Sequence, residues 1–276
     1  MNGFDLKAAL KNGERVYGCC TVSPSPHWPA MMAGTGLDFI FIDTEHIALD
    51  RSQVAWMCQT YAALGLAPIV RIPKPDPYLA CMVLDAGAQG VVAPYMESLE
   101  EIRDLRGAVK FRPLKGQRLN KVLEDSSTLD EETAQYIAVH NRNNLLIVNI
   151  ESVAAVEALD TLLDEPDIDA VLIGPHDLSI SLGIAEQYEH PRFTEAMTTI
   201  IEKARSRNIG VGYHFSFGLD IAIAWAERGA NFIVHSTDYF LVRDALNTEL
   251  TRFRNKLGDP VRESAGGMES SGPAAI

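Results

Sequence analysis

The chain has 276 residues, of which 47% are hydrophobic, enough for one large core, and single α/β barrel domains run to about 250 residues. Its formal charge of −13 repels a polyanion from most of the surface, so nucleic acid is excluded as a partner and an anionic substrate needs a local positive site. The cysteines Cys19, Cys20, Cys58 and Cys81 form no CxxC pair and no zinc spacing, the start carries no apolar leader, and no stretch approaches the ~18 continuous apolar residues of a membrane span. A cytoplasmic protein with reduced thiols and no membrane partner is expected.

Eight short apolar runs follow one another near Val16–Thr21, Phe39–Ile42, Ile69–Ile72, Gly90–Ala93, Leu145–Ile150, Ala170–Ile173, Gly210–Tyr213 and Phe232–Val234. Helices are expected between them. One opens at Asp50, with Gln53 three places on, and runs to about Leu64. Another follows the capping box Ser98-Leu-Glu-Glu101 to about Val109, and 152–163, 191–208, 218–228 and 239–257 also read as helical. AGTGLDFIFID, AGAQGVVAP and RGANFIVHS share a helix end, a glycine, a short link and an apolar strand, the grammar of buried parallel strands. This alternation predicts a single α/β domain, a (β/α)8 TIM barrel over residues 1–257. Residues 110–144 form an insertion before the fifth run, with an extra helix near 130–141. It is expected either as a lid or substrate wall on the catalytic rim or as an ordinary surface excursion. The Gly-, Ser- and Pro-rich tail 258–276 is expected to be disordered.

A parallel barrel brings its strand ends to one rim, where active sites are built. Directly behind the runs come Asp43 and His46, Arg71, Glu151, Asp177, and His214 with His235. Glu151 and Asp177 follow neighbouring strands. They read equally as a site for a hard, oxygen-seeking cation such as Mg²⁺ or Mn²⁺ and as caps of the following helices. Arg71, at the end of a buried strand, needs an anionic partner. Either Asp43 or Glu45 supplies it, or a substrate carboxylate does, and in a chain that is acidic yet must hold an anion the second is favoured. The Asp43–His46 pair has the composition of an oriented acid/base imidazole, against the ordinary alternative of an exposed loop histidine. His176, His214 and His235 stand on the predicted rim as pocket walls. No nucleotide-binding glycine motif, no G-x-S-x-G and no lysine within a predicted strand is present, which disfavours nucleotide cofactors, serine hydrolysis and Schiff-base chemistry.

At these residues the sequence resembles the HpcH/HpaI aldolases, class II, metal-dependent pyruvate aldolases. The matching segments are GLDFIFIDTEH, PIVRIP, LDAGAQGVVAP, VNIESVAAVEALDTLLDEPDIDAVLIGPHDLSISLG and ERGANFIVHSTDYFLVRDAL, collinear over about residues 4–255. The resemblance implies that Glu151 and Asp177 hold a divalent metal, Mg²⁺ or Mn²⁺ with Co²⁺ also allowed. It implies that Arg71 contacts a 2-oxo acid, with Gly174, Pro175 and His214 as further substrate contacts, and that His46, oriented by Asp43, is the acid/base. The implied reaction is aldol cleavage or formation of a 4-hydroxy-2-oxo acid from pyruvate, or a close 2-oxo acid, and an aldehyde. A decarboxylase or carbon–carbon bond-forming synthase working through the same enolate is the rival. The implied assembly is a homo-oligomer, trimer or hexamer, with the last helix packed on a neighbouring subunit. The chain departs from the family pattern in having Asn149 where Gln is common, Leu119 closing Gly116-Gln-Arg118, and Tyr213, His214 and Phe215 after the seventh run.

Overall fold

A computed structural model describes residues 1–214 and 218–260. Eight strands, β1 (Val16–Cys20), β2 (Phe39–Asp43), β3 (Ala67–Arg71), β4 (Gly90–Ala93), β5 (Leu145–Ile150), β6 (Ala170–Ile173), β7 (Gly210–His214) and β8 (Phe232–Thr237), close into a barrel in sequence order. Every neighbouring pair is parallel, β8 closing on β1. The strands coincide with the eight apolar runs to within a few residues, because a parallel strand buried on both faces must be apolar throughout.

Alternation along each strand divides the core in two. One set, with Phe39, Phe41, Ile69, Val92, Ile147, Leu172, Phe232 and Val234, fills the barrel. The intervening residues, among them Ile40, Ile42, Val70, Val148, Val171 and Ile233, pack against the surrounding helices. Inside, Phe39 and Phe232 stack at 4.7 Å. Gly18 on β1 makes this possible, since a Cβ there would meet the Phe39 ring at 2.2 Å. Leu6 and Leu10 of the Gly3–Asn12 helix join the inner set. They close the end at which the strands begin.

The helices follow local sequence logic. Asp50 caps Arg51–Ala63 in a complete capping box with Gln53, and Ser98 caps Leu99–Lys110 by accepting the Glu101 N–H. Pro191–Ser206 and Leu219–Glu227 lie where expected. The predicted 152–163 helix is instead two five-residue helices, Val153–Glu157 and Leu159–Leu163, broken at Ala158. No helix among the described residues is long and apolar enough to cross a membrane.

The insertion is corrected in position. It holds the helices Gly116–Glu124 and Glu131–His140 around a small core of Phe111, Val122 and Ile137. It connects the end of a helix to the start of β5, and the helix has already carried the chain back across the barrel. The insertion therefore lies at the end opposite the catalytic rim, walling a cleft with Lys7, Ile168 and Asn208, and it is not a lid. The tail expected to be disordered falls mostly on residues 261–276, outside the described residues.

Candidate active site

Inward alternation continues one step past the apolar layers and delivers polar groups to the rim. Phe39 and Phe41 are followed on the same face by Asp43, Ile69 by Arg71, and Ile147 by Asn149 and then Glu151. Asp43, Arg71, Asn149, Glu151 and His214 are all buried.

Arg71 is gripped by Asp43 as a fork: Nε donates to Oδ1 at 2.8 Å and Nη2 to Oδ2 at 2.7 Å. Glu45 Oε2 lies 3.3 Å from the same Nε, and Phe41 lies beneath the guanidinium, 5.7 Å from ring centroid to Cζ. The Glu45 N–H donates to Asp43 Oδ1 at 3.0 Å. Burial works to raise the Asp43 carboxyl, but the Arg71 fork overcomes it and holds the group below the usual carboxylate value. Of the two partners considered for Arg71 in the sequence, the protein carboxylates are present. Among the described residues no acceptor is found for its Nη1.

The expected Asp43–His46 contact is not formed, which corrects that detail. Asp43 points into the barrel and its oxygens are taken by Arg71 and the Glu45 N–H. His46 lies in the loop beyond, 37% exposed, with Nε2 3.8 Å from Glu45 Oε2. Glu45 is thus the carboxylate between the arginine and the histidine. The sequence reading placed it only as a possible partner of Arg71, though the D-T-E-H string carried it in view. Burial pushes its carboxyl up to about 7, Glu151, Asp43 and Asp177 adding to the effect and Arg71 opposing it.

Glu151 is held by its backbone neighbourhood. Oε1 accepts the Tyr95 N–H at 2.7 Å and Oε2 accepts Asn149 Nδ2 at 2.9 Å. Tyr95 reaches this position with φ of 50°, a left-handed conformation uncommon for a bulky residue. Gly174 backs the carboxylate, and a Cβ there would fall 2.3 Å from Oε2. Pro175 opens the Pro175–Ser181 helix, with Asp177 in its first turn. Burial, then Asp177, raises the Glu151 carboxyl above its ordinary value, although the Tyr95 N–H opposes this. Asn149 Oδ1 is buried with no hydrogen-bond partner among the described residues.

Among the described residues no three His, Cys, Asp or Glu side chains form a ready-made metal cluster. A hard divalent cation does not need one: two carboxylates plus water and substrate oxygens suffice. Glu151, Asp177, whose charge acts on Glu151, and the orphaned amide oxygen of Asn149 beside Glu151 make a donor set that fits such an ion. The remaining predicted histidines divide. His214 sits inside the barrel with its ring 5.3 Å from Phe41. His235 instead lines a groove on the outer side of β1 and β8, and His176 Nδ1 lies 3.4 Å from Glu186. Of the loop after β7, Phe215 to Phe217 lie outside the described residues. Tyr213 points outward and is buried, its hydroxyl donating to Ala222 O at 2.5 Å.

Comparisons with known proteins point to one family. The family model described as HpcH/HpaI aldolase/citrate lyase matches residues 18–245. A hydroxypyruvate/pyruvate aldolase of Roseovarius nubinhibens is 29% identical, covering 90% of this chain and 96% of its own. A 2-keto-3-deoxy-L-rhamnonate aldolase of Salmonella gallinarum is 30% identical, covering 91% and 93%. Among solved structures, an HpcH/HpaI aldolase of Desulfitobacterium hafniense superposes with a TM-score of 0.77 at 27% identity, covering 90% of this chain and 96% of that one. The citrate synthase SbnG superposes at 0.78 and 26%, covering 92% and 99%. Macrophomate synthase does so at 0.74 and 26%, covering 92% and 90%.

Proposed function

The chain belongs to the HpcH/HpaI aldolase/citrate lyase family, and on that premise we propose that its rim cleaves and forms 4-hydroxy-2-oxo acids, with pyruvate or a close 2-oxo acid and an aldehyde as the partners. It is a carbon–carbon lyase. The observation that carries the reading is the gathering of one arginine and four carboxylates, Asp43, Glu45, Glu151 and Asp177, at the ends of β2, β3, β5 and β6.

Glu151 and Asp177 are the residues to hold the family's divalent cation, Mg²⁺ or Mn²⁺, which when bound supplies Lewis-acid polarisation of the 2-oxo group. Arg71, fixed by Asp43, directs Nη1 toward the substrate oxygen on which negative charge grows as the C3–C4 bond breaks. His46 takes the proton of the 4-hydroxyl, with its Nε2 3.8 Å from Glu45 Oε2. Gly174 and Pro175 form the wall behind Glu151, and His214 the floor beside Phe41.

A second reading has the same enolate attacking an electrophile other than a free aldehyde, or arising by decarboxylation. The likeness to the citrate synthase SbnG and to macrophomate synthase favours it. A panel of 2-oxo acids with Mg²⁺ or Mn²⁺, followed separately for pyruvate and for CO₂, decides between them. Pyruvate released with an equivalent of aldehyde from a 4-hydroxy-2-oxo acid, without CO₂, supports the first; pyruvate that forms only together with CO₂ removes it.

A homo-oligomer is the proposed working state. The Asp238–Leu257 helix buries only Asp238 and exposes Leu241, Val242, Leu246, Leu250, Phe253 and Leu257. Nearby, the outer groove of about 650 Å³ along β1 and β8 is lined by Tyr17, Leu37, Leu219, Ile223 and Ile233. An apolar row of this length needs cover, and exchange of this helix between subunits supplies it. Light scattering should give a trimer or hexamer that dissociates in Leu246→Glu/Phe253→Glu.

A further inference from the structure

The end of the barrel away from the chemistry carries a cleft of about 760 Å³, open to solvent and walled by the 110–144 insertion, the first helix and the turns leading into β6 and β7. Its size falls in the range of small-molecule sites, about 300–1,000 Å³. In a chain of net charge −13, the lining is basic: Lys7, Lys11, Lys110 and Arg142 face it.

The negative groups there do not balance these cations. Asp169 is the shared partner of Lys110, which it holds in a short contact, and of Lys7 at 3.9 Å. Its Oδ2 is further engaged by the Leu146 N–H at 2.7 Å. Asp167 is taken from outside the cleft by Arg106 at 2.8 Å. The remaining cation, Arg207, is neutralised by Asp160 and Asp164. Among the described residues Lys11 and Arg142 have no acidic partner. Apart from Arg207, four cations thus face the cleft against two carboxylates, Asp169 and Asp167, the second shared with Arg106. Burial, and after the opposing pull of Asp169 the neighbouring Lys110 charge, holds the Lys7 ammonium below its ordinary value; the cations are crowded as well as unbalanced.

Surface lysines scatter when nothing requires them together, because like charges repel. Here three lysines and an arginine from three separate segments of an acidic chain converge on one concavity. We propose that this cleft is a second ligand site, for a small organic polyanion carrying phosphate groups or several carboxylates. Lys11 and Arg142 contribute the free positive charge, and Lys7 and Lys110 share theirs with Asp169. Asp169 immediately precedes β6 and is bonded to Leu146 at the start of β5, the two strands whose far ends lead to Glu151 and Asp177. The cleft and the catalytic rim are therefore opposite ends of the same pair of strands.

Calorimetric titration of the full-length, metal-free protein at low ionic strength tests this, with inorganic pyrophosphate in one arm and tricarballylate in the other. Saturable binding of one equivalent per subunit in either arm is expected, and the tighter arm names the headgroup. Lys11→Glu/Arg142→Glu, both positions exposed, should weaken it at least about tenfold while leaving the fold and basal turnover unchanged. Arg71→Lys, at the other end, should leave the affinity as it is. No saturable binding in either arm overturns the proposal. So does binding that survives the double reversal, or binding that is lost with Arg71→Lys and so belongs to the catalytic rim.

Discussion

Two buried arginines show how differently the two ends of this barrel are built. Arg71 at the rim and Arg106 near the opposite end are 4% and 7% exposed, and each meets two carboxylates. Arg106, on the Leu99–Lys110 helix, contacts Asp167 at 2.8 Å and Glu165 at 3.4 Å, and Arg103 joins Glu165 at 3.1 Å. Two cations face two anions there, and the network is closed. Arg71 meets Asp43 and Glu45, but Glu151 and Asp177 lie close enough to act on the same groups. Four anions face one cation. Both arginines are buried and paired, but the Arg106 network reaches solvent through Arg103 and Asp167, 55% and 44% exposed, and it is balanced where the rim is not. A folded chain retains buried like charges at a cost, and they persist where a ligand completes the set.

The strongest way to break this contrast is to neutralise one rim anion. Glu151→Gln keeps the shape and removes the charge. Its amide can still accept the Tyr95 N–H, and the unpartnered Asn149 Oδ1 can turn to accept from the new NH₂. Activity should fall by about 10³-fold, while the melting temperature of metal-free protein rises by a few degrees because an uncompensated charge is gone. Chelation should remove wild-type activity and added Mg²⁺ or Mn²⁺ restore it. Undiminished turnover in the variant, or after exhaustive chelation, sinks the assignment of Glu151 as a metal ligand.

Paired lysine substitutions sharpen the comparison. Arg71→Lys keeps the charge but loses the fork, and kcat/KM should drop by between about 10² and 10³ with little change in stability. Arg106→Lys should do the reverse, lowering the melting temperature with specific activity intact, since its closed network only joins helix to barrel. If Arg71→Lys unfolded readily yet kept its specific activity, Arg71 would be a structural ion-pair residue like Arg106.

How much of this was legible follows from the same physics. Strand positions were readable because both faces of a parallel strand are buried, so β1 to β8 stand out as apolar runs. The residues just behind them were readable because period two carries the inward face on to Asp43, Arg71 and Glu151. What failed was pairing. Asp43 ends β2 and His46 lies three residues on in the following loop, and sequence spacing cannot tell that the Asp43 side chain is already inside the barrel facing Arg71. Glu45 passed as a minor neighbour for the same reason. Of the two readings of the insertion, lid or surface excursion, the second fits, and a rule could have chosen it: a segment between helix and strand belongs to the end where strands begin. His235 was put on the rim because its run reads as a strand end, whereas β8 continues to Thr237 and turns that side chain outward.

A histidine substitution tests whether the outer edge of the rim shares in the chemistry. His46→Ala should slow aldol cleavage by about 10²-fold, and oxaloacetate decarboxylation less, because that reaction has no 4-hydroxyl proton to remove. Equal loss in both reactions, measured side by side, assigns His46 to substrate placement. No loss in either makes it an exposed loop residue.

The smallest effect concerns Glu45, and it bears on the imbalance alone. Burial pushes its carboxyl up from 4.5 to about 7, with the charges of Glu151, Asp43 and Asp177 adding to this and Arg71 opposing. The folded protein then holds a proton that the unfolded chain has released. A raised acid therefore costs nothing below pH 4.5, costs progressively more from there to about 7, and a constant amount above. Glu45→Gln cannot titrate, so its melting temperature in metal-free buffer should match the wild type near pH 4.5 and exceed it by a few degrees at pH 8. The gap should open between those values and then level off. If Arg71, 3.3 Å away, governed Glu45 as Glu165 and Asp167 are governed by Arg106, the sign would invert: the wild type would be the more stable at pH 8, its advantage fading as the carboxylate took up its proton in acid. That result would make the rim a balanced network after all, and would remove the electrostatic ground for placing a cation there.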